Sequence, residues 1–242
     1  MKKFLSIIMT VFVLATFAGC KKQVKVANQE QSKQTQEDKS KDSTSENSKL
    51  PGKINGIDVD AMLKDTFPND PDYAYKEKST KDFITKGEDI KKMLGDKYKQ
   101  TGDDQKNFTK QGKKAKLEYN FYRKNYKDNL NEYSFSLYFN DEKKCRVIDS
   151  RNEINESVSE QNVKLDDMTK NILKKFSNNI QYEEVEKKMN QCMALAKEKK
   201  NDFVDDLKVD DHSTITFMKY YDEKSQIVKI TLHFQTEEYG YK

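Results

Sequence analysis

His212 and His233 are the only two imidazoles in the chain, and neither sits at a zinc-ligand spacing such as HExxH. GxSxG, P-loop and CxxC motifs are absent as well. His233 immediately precedes Phe234 in an alternating run, so it reads as an imidazole on a sheet face rather than a catalytic base. The acidic pairs Asp205-Asp206 and Asp210-Asp211 have the charge for calcium but not the glycine and spaced ligands of an EF-hand, and they read as a solvated acidic loop. Glu183 and Glu184 are adjacent on a predicted helix, point in different directions, and suit ion pairs with Lys187 and Lys188. These residues predict no enzyme, no cofactor and no metal. Cys145 in a predicted strand and Cys192 in a predicted helix fit either two buried thiols or a disulfide, and spacing leaves that choice open.

Cys20 stands apart. Lys2 and Lys3 give a positive start, residues 4–17 are almost unbroken in apolar side chains, and Lys21-Lys22 follow the cysteine at once. A charged start and a short apolar run describe a secretory signal, whereas a membrane span needs about 20 apolar residues. Phe17-Ala18-Gly19-Cys20 resembles a lipobox, although Leu is commoner where Phe17 stands. The resemblance implies cleavage after residue 19 and an acylated (palmitate-type) Cys20 in the lipid bilayer, with the rest of the chain at the extracytoplasmic face of the membrane. Two or more acyl chains are enough for stable anchoring. Residues 20–50 are then the lipidated cysteine and a polar tether whose composition cannot offset the entropy of ordering; its root-mean-square reach is about 30 Å.

The formal net charge of +4 belongs mostly to these segments: two charges from Lys2 and Lys3, and seven lysines against five acidic residues in 21–50. The remainder is near neutral, which argues against nucleic acid as a partner. Abundant Lys and Asn with no Trp point to an AT-rich, Gram-positive host.

Residues 51–242 are long enough for one large core or two small ones. A short helix is predicted at 59–67 and an apolar helical stripe over 82–98, with Gly95 as its stop. Leu117, Tyr119 and Phe121, then Tyr133, Phe135, Leu137 and Phe139, alternate with polar neighbours as half-buried antiparallel strands, and a third strand is predicted over 144–149. The order then recurs. Helical stripes over 166–176 and 182–199 precede strands at 214–221 and 226–234, joined by the turn Asp222-Glu223-Lys224-Ser225. The fold class is therefore α+β, with two tandem units of short helices packed on antiparallel sheet, at 51–155 and 156–242.

Gly87-Glu88-Asp89-Ile90-Lys91-Lys92-Met93-Leu94-Gly95, Leu117-Glu118-Tyr119 and the strand end Tyr138-Phe139-Asn140-Asp141-Glu142-Lys143 resemble one unit of the β-lactamase-inhibitor-protein-like family. Tyr182-Glu183-Glu184-Val185-Glu186-Lys187-Lys188-Met189 is similar to the same unit as found in Gram-positive lipoproteins of unassigned role. The resemblance implies tandem units whose sheets join into a saddle that grips a partner protein. The second unit departs from the pattern, with Asn190-Gln191 in place of the glycine.

Strand period assigns the faces. If Leu117, Tyr119, Phe121, Phe135, Leu137, Ile215, Phe217, Val228 and Ile230 meet the helices, then Tyr122, Tyr138, Met218 and Tyr220 share the other side with small hydroxyl residues. Tyr and Met bury area well yet tolerate water, so these four are the predicted anchors for an extracellular or envelope protein. The competing expectations are a small-ligand or cell-wall-binding domain, or a hydrolase.

Overall fold

The structure is a computed structural model that describes residues 52–100, 107–125, 130–198 and 201–241. The predicted signal peptide (1–19), Cys20 and the predicted tether (21–50) lie outside the described residues. Everything described belongs to one compact unit of α+β class. A two-stranded ribbon, β1 (Lys53–Ile54) and β2 (Ile57–Asp58), leads into α1 (Val59–Thr66) and α2 (Tyr73–Leu94). The strands β3 (Tyr98–Gln100), β4 (Thr109–Gln111), β5 (Lys114–Arg123), β6 (Glu132–Asn140) and β7 (Cys145–Ser157) follow. Then come α3 (Asp167–Phe176), α4 (Tyr182–Ala194), β8 (Asn201–Lys208), β9 (Ser213–Asp222) and β10 (Ile227–Tyr239).

All strands after β2 form one antiparallel sheet of order β3-β5-β6-β7-β10-β9-β8, with β4 also on β5. Each half contributes two helices and then three long strands. The halves meet through their last strands: β7 and β10 pair along their whole length, from Ile227 opposite Ser157 to Tyr239 opposite Cys145. The boundary drawn at 155/156 falls within β7, and the two halves share one sheet.

Two cores lie under that sheet. In the first, Phe83, Ile84, Ile90 and Leu94 of α2 pack on Leu117, Tyr119, Phe121, Phe135, Leu137 and Phe139. In the second, Leu173 of α3 and Val185, Met189 and Cys192 of α4 pack on Ile215, Phe217, Val228, Ile230, Leu232 and Phe234. Met93 and Met193 are only partly buried at the margins of these cores.

The elements end where local chemistry dictates. The Asp58 side chain accepts from Ala61 N–H (3.0 Å) at the start of α1, and Asp166 accepts from Thr169 N–H (2.5 Å) at the start of α3. Asp166 also accepts from Asn131 Nδ2 (2.8 Å), tying α3 to the start of β6. Gly95 closes α2 with φ +59, a conformation glycine adopts at little cost.

Three expectations need correction. Helix α2 begins at Tyr73, nine residues before the predicted start at 82, because its first turns bury Lys76, Ser79 and Thr80, which an apolar pattern cannot reveal. The Lys76 ammonium is fully buried, 2.6 Å from Asp70 and 2.5 Å from Asp141, with the Phe67 ring centroid at 4.2 Å. Strand β7 runs on to Ser157 instead of ending at 149, since Ser150 and Asn152 are buried on the helix side where the two cores meet. The acidic loop begins too early: Asp205 and Asp206 belong to strand β8, and only Asp210 and Asp211 lie in the turn.

Cys145 and Cys192 are both free and buried, the first at the start of β7 and the second in α4 beneath the other half. Burial pushes the Cys192 thiol up to about 12, so it behaves as a core side chain rather than a nucleophile.

Candidate functional site: the open face of the sheet

The helices cover one face of the sheet, and the pleat decides which side chains reach the other. On β5, Ala115, Leu117, Tyr119 and Phe121 are buried, whereas Lys116, Glu118, Asn120 and Tyr122 alternate with them toward solvent. On β9, Ile215, Phe217, Lys219 and Tyr221 are buried, and Thr216, Met218 and Tyr220 are more exposed. All four predicted anchors lie on this open face.

They do not form one cluster. Met218 and Tyr220 are two residues apart on β9, 38% and 45% exposed. Tyr122, 37% exposed, is on β5, four inter-strand steps from β9, which is roughly 19 Å. Tyr138 is half-buried near the opposite end of β6, where it pairs with Lys116 and Val147, and the Lys116 ammonium lies 5.4 Å from its ring centroid. Phe203 of β8, missed in the sequence, sits directly opposite Met218 and is 53% exposed. Strand period misplaces it: the bulge between Phe203 and Asp205 shifts the register, so Phe203 stands on the open face opposite Met218 while Leu207 turns to the covered face opposite Ile215. Tyr239, at the end of β10, is 64% exposed.

Between these apolar margins the face is polar. Glu153 accepts from Arg151 (2.7 Å) and Lys229 (2.8 Å), Asp206 accepts from Thr216 (2.6 Å), and Lys116 pairs with Glu118 (2.6 Å). His233 Nε2 lies 2.5 Å from Asp149 Oδ2. That hydrogen bond and the Asp149 charge hold the imidazole above its ordinary range, against opposing effects of burial and Arg151. Arg151 and Lys229 share Glu153, Lys116 meets Glu118 and Asp149 meets His233, whereas among the described residues Asp206 has only the neutral Thr216 hydroxyl. The exposed apolar area is concentrated at the β9–β8 end.

Concave sites offer less. A cleft of about 740 Å³ opens on the helix side, lined by Lys86, Arg146, Asn179, Asp210, His212 and Glu238. Arg146 is already committed to Glu238 and Ser79, and Asp210 to Asn179 and the His212 N–H. Glu156 is pushed upward by burial and by the Glu160 and Asp166 carboxylates, but it does not line this cleft. Among the described residues, no group of three or more His, Cys, Asp or Glu side chains is placed to hold a metal ion. Nor is any described helix long and apolar enough to cross a membrane.

Comparison with family models, curated proteins and solved structures found no match for this chain.

Proposed function

We propose that this chain is a membrane-anchored extracytoplasmic lipoprotein that binds an extracellular or envelope protein through the open face of its sheet. The observation that carries the reading is the asymmetry of that sheet. One face is sealed by helices, and the other keeps Phe203, Met218 and Tyr220 side by side in solvent. Large side chains of this kind, ringed by polar neighbours, are the usual anchors of protein interfaces. The anchor at Cys20 and the 21–50 tether, read from sequence, place such a face within reach of the membrane surface.

A photo-crosslinking residue at position 220 or 122, introduced into the full-length protein in cells, tests the face. A discrete adduct from the open face and none from a helix-side position such as 187 supports the reading. Equal labelling from both sides refutes it. The anchor is tested separately with a fatty-acid probe, which labels the wild type and is expected to leave Cys20→Ala unlabelled and the precursor uncleaved.

A further inference from the structure

The two edges of the sheet differ. On one side β5 is covered by β3 opposite residues 121–123 and by β4 opposite 114–116. On the other, β8 runs for eight residues with β9 as its one strand partner among the described residues. Its outer backbone groups are a template for a further strand. The apolar patch stands at this edge: Phe203 opposite Met218, with Tyr220 next on the same face. A strand added to β8 would set its own open-face side chains beside the Phe203 ring.

Charge narrows what that strand is. Residues 201–212 carry Asp202, Asp205, Asp206, Asp210 and Asp211 against the single cation Lys208. Neighbouring elements answer part of this, since Lys188 of α4 pairs with Asp205 and Lys219 lies opposite Asp202. Lys208 is held by Asp211 at 2.8 Å. The edge still has more acid than base, and Asp206, whose neighbour Thr216 supplies a neutral hydroxyl, is exposed on the open face. A second copy of the chain would bring acid against acid. The bulge between Phe203 and Asp205 divides the ladder into 201–203 and the longer stretch 205–208.

We infer that β8 is a strand-addition edge that takes an extended, cationic segment of the bound protein. The segment's main chain pairs along 205–208, with an apolar side chain beside Phe203 and Met218 and a Lys or Arg near Asp206. The inference rests on the open face being a protein-binding surface and adds the class of segment that surface accepts.

The test uses a ten-residue probe peptide alternating Lys and Val around a central Phe, its counterpart with Glu for Lys, and the folded protein followed by amide NMR. The Lys peptide is expected to shift and protect amides of 203–208 and to shift those of 216–220. Its binding should weaken as salt rises. Asp206→Lys or Phe203→Ser should each weaken it roughly tenfold, while Lys187→Ala on the exposed side of α4 leaves it unchanged. Unaltered melting temperatures of these surface variants separate lost binding from lost folding. Equal binding of the Lys and Glu peptides, or shifts confined to β5, β6 or the helices, overturns the inference. Self-association of the chain alone that Asp206→Lys abolishes overturns it too, assigning the edge to a second copy. If the peptide fails while crosslinking from position 220 still yields a discrete adduct, the edge assignment falls and the open-face reading stands. If both fail, both fall.

Discussion

Tyr119 and Tyr122 lie three residues apart on β5, and Tyr221 and Tyr220 are neighbours on β9, yet one of each pair is buried and the other exposed. On the covered face the Tyr119 ring stacks on Phe135 at 5.1 Å, meets Phe83 edge-on at 5.8 Å, and its hydroxyl donates to Glu88 at 3.2 Å. Burial and the Glu88 carboxylate push that phenol well above its ordinary range, so it remains a neutral donor. On the open face Tyr220 and Met218 stand in solvent beside Phe203. The comparison teaches that residue type alone does not distinguish core from contact surface. Register does, because one step along a strand exchanges the faces.

Substitutions on the two faces are expected to separate cleanly. Phe135→Ala removes a ring packed against Tyr119, Phe121, Phe83 and Phe176, and should cost about 3–5 kcal/mol by denaturant unfolding. A loss below about 1 kcal/mol would erase the contrast between the faces.

Gly87→Ala comes next. A Cβ there would lie 2.5 Å from the Tyr119 ring, so the gain in helix propensity of about 1 kcal/mol is opposed by overpacking of about 1–3 kcal/mol. Net destabilisation is expected, and it should shrink when Tyr119 is also replaced by Leu. Stabilisation by Gly87→Ala alone would show that α2 can move off the sheet.

On the open face, Tyr122→Ala and Tyr220→Ala should each change unfolding free energy by less than about 0.5 kcal/mol. A sharp fall in melting temperature for either would move that ring into the core.

The smallest effect concerns pH. His233 is held above its ordinary value by Asp149, so the stability from this pair is fully present below the unfolded value near 6.5 and is lost as pH rises through the folded one. Because the side chain is partly exposed, the contribution is small. NMR titration should find the His233 value lowered in Asp149→Asn, and an unchanged value would remove Asp149 as the cause.

Much of this was legible along the chain, for a local reason. Period-two alternation in 117–121, 133–139 and 214–221 assigns each strand its faces, because successive Cβ atoms point to opposite sides whatever the strand pairs with. The apolar stripe ending at Gly95 was equally plain, since a helix stop is written in one residue. The side of the sheet on which Tyr122, Tyr138, Met218 and Tyr220 stand followed from the same count.

Tertiary structure alone decided what depends on distant partners. Lys76 becomes a core residue only because Asp70, Asp141 and aromatic rings from elsewhere in the chain surround its ammonium. Ser150 and Asn152 continue β7 because β6 on one side and β10, some 80 residues later in the sequence, on the other supply ladders beside them. Whether four aromatic and sulfur side chains make one patch or three depends on strand order, which no local periodicity encodes. The order places Phe203 beside Met218, leaves Tyr122 and Tyr138 apart, and makes an acidic eight-residue strand the edge of the sheet. Hydrophobic pattern is a property of each residue and its near neighbours, whereas strand order and the burial of polar groups are properties of the whole packed chain.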